Sequence, residues 1–235
     1  MTREPASTEA STEEALGVSH VFKRYRDGDT MVEAVSDVSL SVPRASLSVL
    51  VGPSGAGKTT LLGILGGLVL PTRGDARIDG RSVVHLRDHH RTALRRQKVG
   101  FAFQDLALIH GMSLLENVLL PLTPQGGARK QDVARAEGLL ERFGLLDKRD
   151  RRVERLSGGE KQRGAIARTL ILEPPILLLD EPTAHLDGEN AAAIVDALAE
   201  LRDEGTTLVA ATHDARLSED PRIDRALHMA DGKLC

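Results

Sequence analysis

Three runs in this chain are almost unbroken in apolar residues: "LSVLVG" (Leu47–Gly52), "ILLLD" (Ile176–Asp180) and "TTLVAAT" (Thr206–Thr212). A strand with one wet face alternates apolar and polar residues. A continuous run needs cover on both faces, as in a parallel sheet between helices. Each run is followed by a helix-like segment, over 57–68, 189–204 and 214–218. That alternation predicts an α/β fold with a parallel sheet. Two earlier runs, Leu16–Tyr25 and Ala34–Val42, also read as strands, and the second alternates in the manner of a half-buried one. From Leu86 to Leu156 the chain reads as more helical. Within it, Ala128–Leu146 carries Val133, Ala136, Leu139, Leu140 and Phe143 on one side. This predicts a helical insertion between sheet elements.

The 235 residues suit one large domain or two small ones. A net charge of −3 gives no basic footprint for nucleic acid. The basic segment Arg87–Lys98 therefore reads as a solvated helix face rather than a nucleic-acid surface. The single cysteine, Cys235, has no internal disulfide partner, and a reducing compartment is expected. The longest apolar stretch, Leu61–Leu70, is short for a membrane span and is interrupted by glycines. The start, "MTREPASTEASTEE", lacks an apolar signal segment and predicts a disordered tail over 1–14.

In an open parallel sheet, ligands bind beyond the carboxyl ends of the strands. The first run ends in "GPSGAGKTT" (Gly52–Thr60), the second in Asp180 and Glu181, the third in His213. Gly52, Pro53, Ser54, Gly55, Ala56, Gly57, Lys58 and Thr59 fit G-x-x-x-x-G-K-[ST], a loop whose backbone N–H groups close around phosphate oxygens. Lys58 then meets the β- and γ-phosphates, and the Thr59 hydroxyl meets Mg²⁺. Two adjacent carboxylates suit a metal ligand beside a group that orients water. Tyr25, the only tyrosine, suits either base stacking or core packing. A second possible anion cradle stands about a hundred residues later, where Ser157, Gly158 and Gly159 open the helix of "LSGGEKQRGAIARTL".

Taken together, from about Leu16 to the end, these motifs resemble the ATP-binding subunit of an ABC transporter. The resemblance implies a P-loop NTPase of ABC type: a mostly parallel core sheet flanked by helices, an antiparallel β subdomain, and a helical insertion at about 105–160 within a domain spanning 15–235. It implies ATP and Mg²⁺ as cofactors. The phosphate loop, with Thr60 beside it, and Tyr25 against the adenine would bind nucleotide. Thr59 and Gln104, in "FAFQD", would ligate Mg²⁺ with Asp180, while Glu181, Lys58 and His213 would be catalytic. It further implies that the site is split between two copies, with Ser157, Gly158, Gly159 and Asp187 acting on the opposite one. That accounts for two cradles in one chain. "LLGILGGLVLPTRGDARIDG", "LRRQKVGFAFQ" and "SLLENVLLPL" look like the macrolide-export and lipoprotein-release type. A cytoplasmic ATPase on the inner face of the membrane is then expected. Its permease would dock near Gln104–Leu115, and no nucleic acid would be bound. The alternative is a soluble ABC-type ATPase in DNA repair or translation. Two departures stand out: His185 before Leu186, and Gly164 inside the signature helix, where glycine is about 1 kcal/mol worse than alanine.

Overall fold

A computed structural model describes residues 14–184 and 186–235. The expected tail over 1–13 and His185 lie outside the described residues, while Glu14, expected at the tail's end, opens the first strand. In chain order the elements are β1 (Glu14–Asp27), β2 (Thr30–Pro43), β3 (Leu47–Val51), α1 (Lys58–Leu65), β4 (Arg73–Ile78), β5 (Arg81–Ser82), α2 (Asp88–Lys98) and β6 (Val99–Ala102). There follow α3 (Leu114–Leu119), α4 (Lys130–Arg142), α5 (Gly158–Leu170), β7 (Ile176–Asp180), α6 (Gly188–Asp203), β8 (Thr207–Thr212), α7 (Ala215–Ser218), β9 (Arg225–Ala230) and β10 (Lys233–Leu234).

Two sheets form. An antiparallel one runs β2-β1-β4-β5, and a larger one runs β10-β9-β3-β8-β7-β6. In the larger sheet β9, β3, β8, β7 and β6 pair in parallel, and β10 adds an antiparallel edge. The apolar runs are buried on both faces, for the reason their composition suggests. Leu47, Val49, Leu177, Leu179, Leu208 and Ala210 join a core with α3, α4, α5 and α6. Leu50, Ile176, Leu178, Val209 and Ala211, pointing the other way, join a second core with β1, β2 and α1. The sheet therefore has a hydrophobic layer on each side.

The long apparently helical stretch contains a strand that its pattern hides. β6 is only four residues, "VGFA", and pairs with β7 at the sheet edge. It carries the chain straight to Gln104. The basic segment is helix α2, of which Leu94 is the buried residue, and several of its cations serve the fold. Arg91 pairs with Asp88, Arg95 donates to the Gly67 carbonyl, and Lys98 pairs with Asp79. Among the described residues no helix is long and apolar enough to cross a membrane.

Candidate active site

The site is built at the carboxyl edge of the larger sheet. After β3 the chain loops through Gly52–Gly57 and enters α1 at Lys58. Gly57 takes a left-handed φ of 96°, and an added Cβ would sit 2.1 Å from the Ala34 carbonyl oxygen, so only glycine fits. The start of α1 has no side-chain cap and no acidic residue in its first turn. Its backbone N–H groups are thus left to an external anion, favoured further by the helix dipole. Lys58 is buried and folds back over the loop. Its Nζ donates to the carbonyls of Gly52 at 2.7 Å and Pro53 at 3.1 Å, and lies 3.6 Å from Oε1 of Glu181.

β7 delivers the two carboxylates. Asp180 accepts a 3.1 Å hydrogen bond from the Thr59 hydroxyl. Burial pushes its carboxyl above the ordinary carboxylate range; the Thr59 bond opposes this, the Glu181 charge adds to it, and Lys58 offsets it. Glu181 is buried and takes a left-handed φ of 51°, a strained backbone for a residue with a side chain. Its carboxylate is tied down at the end of β8. Oε2 accepts from the Thr212 hydroxyl at 3.1 Å and the His213 backbone N–H at 3.3 Å, and Oε1 lies 2.9 Å from His213 Nδ1.

A cleft of about 260 Å³ joins these groups. Ser54, Gly55, Gly57, Lys58, Thr59, Thr60, Gln104, Glu181 and His213 line it, together with Ala34 from β2. Roomier hollows exist, but they lie between α2 and α4 and beside the end of α4, away from the phosphate loop. Gln104 is exposed, on a loop with its own strain. Leu106 and Ala107 both have left-handed φ, 58° and 45°, and Arg168 of α5 donates to both of their carbonyls.

Other expected site residues do not line the cleft. Tyr25 is 41% exposed near the tip of the β1–β2 hairpin, with Lys23 Nζ 5.0 Å from its ring centre, so core packing is not its role. Ser157, Gly158, Gly159 and Asp187 gather elsewhere. Ser157 and Glu160 form a reciprocal cap at the start of α5. Gly158 is exposed, and a Cβ there would meet nothing within 4 Å. Gly159 is buried, and a Cβ there would stand 2.8 Å from Cγ of Asn190, whose amide binds Asp187. Gly164 also has a packing reason: a Cβ would lie 2.6 Å from Cδ1 of the fully buried Leu114 on α3. Its propensity cost accompanies a close helix approach.

Sequence reasoning did not foresee Ala34, Thr212, Arg163, Arg168 or Asn190. No local pattern marks them, because Thr212, Arg168 and the Arg163–Asn190 pair act through partners distant in the chain.

The model of the ABC transporter family matches residues 35–184. Over 221 residues the chain is 41% identical to the lipoprotein-releasing system ATP-binding protein LolD of Bordetella pertussis, covering 94% of this chain and 95% of that one. It is 40% identical over 221 residues to the macrolide export ATP-binding/permease protein MacB of Bradyrhizobium diazoefficiens, covering 94% of this chain and 34% of MacB. The chain thus spans about a third of that longer relative. Among solved structures, the ATP-binding cassette MJ0796, dimeric and bound to ADP and Pi, matches with a TM-score of 0.87 and 35% identity over 93% of this chain and 96% of that one. CbiO1 of Clostridium perfringens, part of the ABC transporter complex cbiONQ, matches with a TM-score of 0.82 and 28% identity over 95% and 87%. With a phosphate loop, paired carboxylates and a histidine assembled at one sheet edge, the chain belongs to the ABC transporter family, as one of its ATP-binding, ATP-hydrolysing cassettes.

Proposed function

We propose that this chain powers a separate membrane permease of the lipoprotein-release or export type, and that it works as a head-to-tail pair closed by ATP. The observation that carries the pairing is the division of the expected site. Lys58, Asp180, Glu181, Gln104 and His213 come together, whereas Ser157–Gly159 and Asp187 form a separate cluster of their own. Two copies related by a two-fold axis bring each cluster to the other's cleft. The open space at Gly158 supports this, since nothing within one copy requires glycine there.

In each half, the loop N–H groups and Lys58 hold phosphate charge. Glu181 accepts the proton of the attacking water, and the bonds from Thr212 and His213 fix its carboxylate in place. His213 contacts the γ-phosphate, and Tyr25 stacks on the base. Mg²⁺ fits the donors present: a hydroxyl, a carboxylate and an amide oxygen on Thr59, Asp180 and Gln104. When bound, Mg²⁺ supplies charge neutralisation on the β- and γ-phosphates.

The permease-facing surface is read near Gln104–Leu115, with one revision. Leu114 is fully buried, and Leu108 and Leu115 pack against the core. The apolar surface left open there is Phe103, 40% exposed and stacked on Phe101 at 4.4 Å, and Ile109, 45% exposed. Leu68 and Phe101 line an adjoining apolar hollow. A peripheral position on the inner face of the membrane follows from docking there. The test is to purify the tagged chain from detergent-solubilised membranes. Recovery of a partner with membrane spans is expected, together with Mg²⁺-dependent ATP hydrolysis. Recovery of the chain alone, with full ATPase activity, would point to an ATPase without a permease.

A further inference from the structure

The two elements assigned to the opposite copy, the start of α5 and Asp187, are joined by one side chain. Asn190 lies in the first turn of α6. Its Nδ2 donates to both carboxylate oxygens of Asp187, at 2.9 Å each, and its backbone N–H donates to Oδ1 at 2.8 Å. Its Oδ1 accepts from Nη1 of Arg163 on α5. The same guanidinium donates from Nε to the carbonyl of Phe143, the residue that closes α4. Asn190 also fills the space beside Gly159, where any Cβ would collide with its side chain.

The chemistry admits one amide orientation. The carboxylate needs a donor and the guanidinium needs an acceptor, so the nitrogen must face Asp187 and the oxygen Arg163. Asparagine offers both on a side chain short enough to sit in a first turn. Aspartate would keep the Arg163 bond but oppose Asp187, and alanine would cut both side-chain links, leaving only the backbone N–H bond to Asp187. The bonds to Asp187 and the contact with Gly159 thus fix the spacing between the α5 start and Asp187.

We infer that Asn190 is a positioning residue, one that holds Ser157–Gly159 and Asp187 in register for presentation to a second copy. This rests on the composite-site reading above. Asn190 is not among the residues that line the cleft, so binding of ATP to a single copy should not depend on it.

The experiment uses full-length chain in the Glu181→Gln background, with Asn190→Ala and Asn190→Asp as additional changes. ATP affinity is measured with a fluorescent ATP analogue at protein concentrations too low for pairing. ATP-driven pairing is measured by analytical ultracentrifugation. Expected is at least a tenfold weakening of pairing in both variants, with single-copy affinity within twofold of the parent. A purely structural role would lower both together. If one variant fails to fold, the other still decides. Unchanged pairing in a folded variant, or parallel loss of ATP affinity, overturns the inference. A Glu181→Gln parent that stays single in ATP overturns the composite-site reading itself, and the positioning role with it.

Discussion

His213 Nδ1 lies 2.9 Å from Oε1 of Glu181, and the Glu181 backbone is held in a left-handed turn by its own N–H bond to the Ala211 carbonyl. The carboxylate is therefore aimed by β8 as much as by β7. Glu181→Gln is expected to lower kcat by roughly 10²–10⁴-fold while sparing ATP binding. His213→Ala removes the contact at Oε1 but leaves the two bonds to Oε2, and is expected to lower kcat roughly tenfold or more. Single-turnover hydrolysis measures both. A parent-like rate in Glu181→Gln would remove it from the water-handling role.

Lys58 is the only cation in the phosphate loop. Lys58→Ala is expected to abolish most ATP binding and lower kcat/KM by roughly 10³-fold or more. The fold should persist, because Glu181 keeps its bonds from Thr212 and His213. Circular dichroism and equilibrium ATP binding separate the two effects. Near-normal turnover would remove the phosphate-loop assignment.

Asp180 gives a pH-dependent expectation. Its carboxyl is raised by burial, so the folded chain holds that proton to higher pH than the unfolded chain does. Stability from this group falls as pH rises from the unfolded value, about 3.9, through the raised folded one. Asp180→Asn should therefore raise Tm at pH 7 without nucleotide, with the gain vanishing below about pH 3.9. Adding Mg²⁺ and ATP should stabilise the parent more than the variant. A lower Tm for Asp180→Asn at pH 7 would contradict the burial argument.

Gly164 and Leu114 form a double-mutant cycle. Alanine at 164 gains about 1 kcal/mol of helix propensity but meets Leu114 at 2.6 Å. Leu114→Ala alone should cost about 2–5 kcal/mol. Gly164→Ala should be neutral or harmful in the parent and stabilising by about 1 kcal/mol in the Leu114→Ala chain. Chemical denaturation measures the coupling. Simple additivity would mean the two sites do not share that space.

The proposed docking surface is best probed where charge does least harm to the core. Ile109→Glu and Phe103→Glu change exposed residues, unlike Leu108→Glu, whose parent side chain packs inward. Both should reduce recovery of the permease at least tenfold while basal ATPase activity stays within twofold. Unchanged recovery would move the docking surface away from this loop.

The strands at the centre of the sheet were legible because burial on both faces leaves a compositional trace, as in Ile176–Asp180. So was the phosphate loop, whose local backbone demands glycine at Gly57. Strand β6 was not, since four residues with a glycine carry no period. The brace through Asn190 was equally hidden. Arg163 and Asn190 are ordinary residues until packing sets α5 against α6, and a side chain's partner 27 positions away leaves no local signal. The outer strands β4, β9 and β10 escaped for a related reason: they are short or at an edge, and their alternation is brief.

The open space at Gly158 divides two kinds of selection. Measured on isolated chains, alanine there meets no neighbour and brings better helix propensity, so a screen for heat resistance would accept it. Measured by transport, in the paired site proposed above, the same methyl group would crowd the surface offered to the other copy. A library enriched for robustness alone would drift toward non-glycine residues at 158 and lose its working members, while one enriched for growth would keep the less stable residue.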